Sequence, residues 1–488
     1  MDAPTPANKD IAMEHVEDGE VPQSIDAKSE VVEDDMPLDQ QRRILRRVDL
    51  RVTVVTGVLF FISLLDRSNL GAAAIAGMTV DLNLGIENRF NLVAMIFFVP
   101  YIIFEFPGAV LVRTMGPRIF LAGICVLWGV SMLCFGFVQN WVQLVGLRVL
   151  LGAFEAGYFP ACIYLVSTYY TRFEVQKRFA AFYLIATTAG AFSGILAYGL
   201  MQMNGLAGKA GWRWIFIMEG ILTVVIGAIG YFLLVDFPDK AHQSINFLTK
   251  DEAAWVIRRI QRDRNDAEAE KFDIRKFLGA SKDVKLWCFS LIFLCLTTVS
   301  YAVTFFLPII LRNNLGFSIA AAQCLVAPPW VFAAFAMYFC GWLGDKYRIR
   351  GPIILTNSVI AIVGLIVMTW APGSGAKYFG SFLILGGIQA NVPTAMAFQS
   401  NNIRGQWKRA FGSATLVCGG GLGGVAGSLI FRTQDAPRYL NGIYGCIVAN
   451  VLIIIIVSTF DLYFLRKNRL AKAGKILIDN EPGFLYTL

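Results

Sequence analysis

Six ionisable side chains stand inside apolar stretches of this chain: Asp66, Arg67, Glu105, Arg148, Glu155 and Glu219. Two of them fall in RVLLGAFEAGYFP, Arg148 to Pro160, within an apolar run from about Val142 to Val166. About 20 such residues cross a bilayer, and a charge at its centre costs roughly 2.5–3.5 kcal/mol. Arg148 and Glu155 are two helical turns apart, so they share one face with a rise of about 10 Å between them. That arrangement implies a wet cavity or charged partners; the alternative is a structural ion pair that locks helices together. Asp66 and Arg67 are adjacent, about 100° apart on a helix, and do not face each other. One can point at Arg148 while the other points into a cavity. Burial disfavours an ionised carboxylate and a nearby arginine favours it, which poises Asp66 and Glu155 to titrate as the cavity changes exposure. Protonating one or two of the four acids leaves the cavity nearly neutral and receptive to an anion, so that proton and anion binding are linked.

The remaining acids carry less. Glu105 stands in EFPGA beside Pro107, where it can bond the backbone freed by the proline or bind a proton. Glu219 follows Trp212 and Trp214 and reads as packing or capping. The later apolar stretches hold no charge until Asp461. The second half therefore discriminates by shape, aromatics and neutral hydrogen bonds. Tyr301 and Thr304 share a face, Asn391 and Thr394 flank Pro393, and Trp330 follows Pro328-Pro329 and can stack on a planar ligand; each is also a normal packing residue. GGGLGGVAG, Gly419 to Gly427, sits in an apolar 20-mer with no strand before it and reads as close helix packing rather than a phosphate loop.

These residues need membrane-spanning helices to hold them, and composition agrees. The 488 residues are 56% hydrophobic and only 16% charged, against roughly 25% charged for a soluble domain. The net charge of +8 is spread between apolar runs, which argues topology and excludes a nucleic-acid patch. Nine cysteines without CxxC pairing and two histidines, His15 and His242, offer no disulfide framework, metal site or cofactor site. Twelve spans are expected, at about 52–75, 91–112, 119–138, 143–165, 179–201, 214–234, 286–311, 319–342, 352–371, 378–399, 411–431 and 442–465. Lys and Arg concentrate on the side of the N-terminus, so both termini are expected in the cytosol. Residues 1–41 hold twelve Asp and Glu against two Lys and read as a disordered acidic tail. The rest divides into a six-helix bundle at 42–235, a linker at 236–285, a second bundle at 286–466 and a cytosolic tail at 467–488. Within the linker, Thr249 and Glu252 form a capping box ahead of a surface helix.

Six spans, a linker and six spans resemble the organisation of the major facilitator superfamily. GWLGDKYRIR, Gly341 to Arg350, is similar to that superfamily's G-x-x-x-D-[RK] loop at Gly341, Asp345 and Lys346. The equivalent place in the first half, GAVLVRTMGPR, has Val112 where the acid stands. An acid at a helix end can pair with the positive N-terminus of a neighbouring helix, so Asp345, with Lys346, is expected to latch the cytosolic gate against the start of the fifth span; the alternative is a plain positive-inside flank, and Val112 leaves an equivalent latch in the first half in doubt. LLDRSNLGAA, RVLLGAFEAGYFP, GWRWIFIMEG and NNIRGQWKRAFGSA, in that order, resemble the anion:cation symporter family and its fungal allantoate and nicotinate permease branch.

That resemblance, over about residues 45 to 470, implies anion binding by Arg67 and Arg148 and proton coupling by Asp66 and Glu155. The expectation is an all-α integral membrane protein that alternates access by rocking two halves. It would take up a small organic anion (nicotinate, allantoate, vitamin or sugar-acid type) with protons, as a monomer in the plasma membrane, without cofactor, nucleotide or enzymatic activity. Bringing an anion into a negative-inside cell costs about 2.3 kcal/mol per 100 mV, which one proton cancels and a second reverses. The alternatives are an exporter of an acidic metabolite on the same scaffold and a ligand-sensing receptor that signals through its tails.

Overall fold

A computed structural model describes residues 36–263, 274–404, 406–435, 438–478 and 484–488. The acidic stretch before residue 36 lies outside them, but its expected end at residue 41 is too late, because a helix begins at Leu38. Contacts divide the chain after Arg43. In the smaller unit Leu38 to Arg43 are helical, and the larger unit, Ile44–Leu488, contains all the spans.

No strand occurs among the described residues, and eleven helical stretches there are long and apolar enough to cross a membrane. The first span is built on Val55–Ala73 and the third to sixth on Pro117–Phe135, Trp141–Tyr169, Arg172–Met201 and Gly211–Leu233. The seventh to twelfth are Val284–Asn313, Ile319–Tyr347, Gly351–Trp370, Ser374–Asn402, Gln406–Ile430 and Leu440–Lys472. The expected second span is present but broken, as Arg89–Met95 and Phe98–Met115, and is not one of the eleven. The third helix packs on the sixth, the first on the fifth and sixth, and the second on the fourth. In the other half the seventh packs on the eleventh, and the tenth on the eighth and ninth.

Small residues decide where helices come close. The fourth span breaks after Glu155: Ala156 is extended and Gly157 has φ +80°, a conformation that favours glycine. Gly157 lies against Gly108 of the second helix, where a Cβ would come within 2.8 Å of the other backbone. Gly419, Gly423 and Gly427 set one edge of the eleventh helix directly against the seventh, as the glycine run suggests.

The two halves meet most tightly at the end remote from the linker. There Asn91 donates to the carbonyls of Ser428 and Phe431 at 2.6 and 2.5 Å, and Gln323 donates to that of Ala72 at 3.3 Å. A Cβ on Gly71 would stand 2.4 Å from the Phe305 carbonyl oxygen, and one on Gly194 2.1 Å from that of Gln323. Toward the linker end, Tyr183 of the fifth helix packs on a cluster that includes Met337, Cys340 and Ala390.

The linker helix Lys250–Asp263 starts with the expected capping box: Thr249 N–H donates to Glu252 at 2.9 Å and Glu252 N–H to the Thr249 hydroxyl at 3.3 Å. Partial burial works against an ionised Glu252, yet the Thr249 donors and the Arg47 guanidinium hold its carboxyl below the usual range. Arg259 pairs with Glu174 at 2.5 Å, so this helix is pinned both to the helix that leads into the first span and to the start of the fifth. The C-terminal segment is more than the expected tail. Tyr486 is buried and stacked on Phe464 at 4.3 Å, and Thr487 and Asn402 exchange hydrogen bonds of 2.8 and 3.0 Å.

Candidate functional site

Arg67 stands at the wall of a cavity of about 130 Å³ between the two halves. The first helix carries it there at mid-length, and three groups hold it. Its Nε and Nη2 donate to Glu155 Oε1 at 2.8 and 2.7 Å, and Nη1 donates to the Tyr301 hydroxyl at 2.9 Å across the junction. Its guanidinium carbon lies 5.1 and 4.9 Å from the ring centres of Phe97 and Tyr101. These electron-rich faces stabilise the cation further. Glu155 is the last residue before the break in the fourth helix, and its Oε1 also accepts from Ser63. The other oxygen, Oε2, is buried with no partner. An ion pair between a fixed cation and a half-satisfied carboxylate is a device that a proton or a second carboxylate can open.

Asp66 turns the other way. It accepts from Trp128 Nε1 at 3.2 Å and from the Thr223 hydroxyl at 3.1 Å, so the third and sixth helices hold it. Arg148 and Glu155 lie on one continuous helix and are both buried, as the spacing requires. They do not pair with each other. Arg148 lies over the Phe135 ring at 5.3 Å, within electrostatic range of Asp66 and Glu155, and its Nε and Nη2 have no hydrogen-bond partner. Among the described residues the cavity lining includes Arg67 but not Asp66, Arg148 or Glu155. The charged groups thus form a layered cluster, with one member at the cavity and three behind it.

Of the neutral candidates, Tyr301, Thr304 and Trp330 line the cavity. Trp330 lies flat against Gly190 of the fifth helix, where a Cβ would stand 2.2 Å from its ring. Asn391 and Thr394 are elsewhere. Asn391 donates to Ile354 O and Ser358 Oγ and accepts from Asn357, and Thr394 donates to Ala390 O. Asn391 is spent on joining the tenth helix to the ninth, and Thr394 on its own helix backbone. Glu105 is not among the lining residues, and neither of its oxygens has a partner, so it does not bond the backbone near Pro107. Gln389 was not legible as a wall residue, yet it lines the cavity and donates to Ser300 at 3.1 Å. An amide in an apolar span, two residues before Asn391, was its only signal. The same holds for Trp128 and Thr223, whose role depends on which helix faces Asp66.

Asp345 pairs with Arg350, five residues on, at the linker end of the eighth helix, and that helix packs on Arg172–Thr187 at the start of the fifth span. Lys346 lies over Trp342 and Tyr347 at 4.8 and 5.4 Å. Arg350 N–H also donates to the Leu488 carbonyl, which ties the C-terminal residues to this loop.

Known proteins share this architecture. The sequence profile of the Major Facilitator Superfamily matches residues 56–428. The high-affinity nicotinic acid transporter of Saccharomyces cerevisiae is 30% identical over 446 residues, 91% of this chain and 81% of that protein. An uncharacterized transporter of Schizosaccharomyces pombe is 32% identical over 437 residues, 88% of this chain and 85% of its own length. Among solved structures, a bacterial homolog of the human lysosomal transporter Spinster superposes with a TM-score of 0.65 at 14% identity, covering 85% of this chain and 96% of that one. The xylose transporter XylE of E. coli gives 0.63 at 14% identity, covering 86% and 99%; these two speak for the fold alone. The extent of the profile and the full-length relatives leave one conclusion: the chain belongs to the major facilitator superfamily and is a multi-pass membrane transporter, not an enzyme.

Proposed function

We propose that this carrier takes up a small organic anion together with protons, by alternating access, across the plasma membrane and with both termini in the cytosol. The observation that carries the reading is the Arg67–Glu155 pair at the cavity wall. Arg67 presents a cation to the cavity, and a carboxylate from the fourth helix occupies it. A proton on Glu155 weakens that hold and frees the guanidinium for a substrate carboxylate, so proton and anion load together. Asp66 and Arg148 set the charge behind the pair. Phe98, Tyr101 and Trp330 give the cavity aromatic walls, which suit a planar acid, and its volume is below the roughly 300–1,000 Å³ of pockets for drug-sized ligands. The resemblance to a nicotinic acid transporter supports a ring-bearing carboxylate as the first compound to try. Asp345 serves as the latch of the linker end. Uptake of radiolabelled nicotinate and a panel of other carboxylates into proteoliposomes, with and without an uncoupler, tests the proposal: the uncoupler should abolish accumulation. Accumulation that survives it would refute proton coupling.

A further inference from the structure

Glu219 is, with Glu105, one of two buried acids of the first half that this coupling scheme leaves unused, and the more deeply buried of the two. It lies in GWRWIFIMEG on the sixth helix, is 1% exposed, and neither carboxyl oxygen has a hydrogen-bond partner. An ionised carboxylate so placed lacks both water and a donor, so the neutral acid is the form this environment tolerates. Thr223, four residues later on the same helix face, donates to Asp66. Glu219 therefore sits one turn, about 6 Å, from Thr223 toward the end where the halves are closed. The titratable and charged groups on the helices packed against it are Asp66 and Arg67 on the first, Arg118, Cys125 and Cys134 on the third, and Tyr198 on the Ala189–Met201 part of the fifth; Arg118 is at the far end, donating to the Tyr231 carbonyl. Arg67 is taken by Glu155. Arg148 approaches through Phe135, whose ring meets Phe216 on the helix of Glu219 at 5.5 Å. Two carboxyls thus share this interface with one unpaired cation, and Asp66 has the donors while Glu219 has none.

We propose that Glu219 carries a second transported proton and passes it to Asp66, so that two protons accompany each monovalent anion. This inference rests on the proton-coupled function proposed for the carrier. In the hand-over a side-chain rotation brings Glu219 to Thr223; the Thr223 hydroxyl gives its proton to Asp66 Oδ2 and takes one from Glu219, leaving Glu219 ionised and Asp66 neutral. Asp66 then gives its proton to water when the linker end opens, and Glu219 is recharged from water when the remote end opens. Two protons and one anion move one net positive charge, so uptake responds to membrane potential as well as to the pH gradient.

The test is nicotinate uptake by the full-length protein in proteoliposomes, driven separately by a potassium–valinomycin potential, negative inside, and by a pH gradient. The wild type should respond several-fold to both. Glu219→Gln, whose side chain keeps its shape, should retain gradient-driven uptake and lose the response to potential. Thr223→Val should do the same with Glu219 intact, and serves if the first variant does not fold. A Glu219→Gln or Thr223→Val carrier as voltage-driven as the wild type overturns the inference. A wild type driven by the gradient but indifferent to potential overturns it too while leaving proton coupling in place. Indifference to both overturns both proposals.

Discussion

Glu155→Gln separates an ion pair that works from one that merely holds helices. Glu155 Oε1 accepts two hydrogen bonds from Arg67, at 2.7 and 2.8 Å, and one from Ser63. Glutamine keeps that acceptor, and its new NH₂ falls where Oε2 has no partner, so the helix packing stays as it is. What goes is the charge. A hydrogen bond to a charged group contributes about 1.5–3 kcal/mol against about 0.5–1.5 for a neutral one. With two bonds affected, the hold on Arg67 falls by about 2–3 kcal/mol, and a substrate carboxylate competes better by that amount. At 1.4 kcal/mol per factor of ten, binding should tighten by between about 30-fold and 140-fold at neutral pH. If Glu155 is the proton site, as proposed, the wild type in acid carries a proton there and the difference should vanish. Equilibrium binding of radiolabelled carboxylate at acid and neutral pH reads this directly. The variant should bind independently of pH, exchange substrate across the membrane and fail to accumulate it. Weaker binding at both pH values, with exchange and accumulation lost in equal measure, would show that the pair is structural and the reasoning wrong.

Other substitutions probe the packing, the cavity wall and the latch. Gly190→Ala drives a Cβ to 2.2 Å from the Trp330 ring and should cost about 1–3 kcal/mol of overpacking, seen as a lowered Tm and slowed transport. Gly199→Ala on the same helix meets nothing within 4 Å and should be neutral or stabilising. Asn391→Leu removes the acceptor of Asn357, which keeps only its weak contact with Cys340, and should cost about 1–3 kcal/mol in thermal stability without changing which carboxylates compete, whereas Gln389→Leu should change the competition profile with little loss of stability. Asp345→Asn breaks a pair whose carboxylate is 61% exposed, so it should cost at most about 1 kcal/mol; if the latch is real, a cysteine at the linker end of the cavity becomes more reactive to a thiol reagent.

Much of the frame was legible because membrane helices announce themselves by length and apolarity. The capping box at Thr249 and Glu252 and the packing edge at Gly419–Gly427 are local patterns with local causes, and both appear where the residues place them. The shared face of Arg148 and Glu155 follows from helical spacing alone. Which acid meets Arg67 is a different kind of question. It depends on the break at Ala156–Gly157 and on how the first and fourth helices pack, and neither is written in the spacing of charges. The same limit hid Gln389, which differs from Asn391 only in the way its helix face is turned: one amide meets the cavity, the other meets Asn357, Ser358 and Ile354. The docking of Tyr486 on Phe464 was equally silent, since a short tail gives no periodic signal for the groove that receives it.

The central claim is that a proton and an anion load on linked sites around Arg67, and it is tested most directly without any imposed gradient. Wild-type proteoliposomes in weakly buffered medium are given nicotinate, and external pH is followed with an impermeant indicator. The account predicts that the medium turns alkaline as substrate enters, and that Arg67→Ala abolishes both the uptake and the pH change. Substrate entry with no movement of protons would contradict it.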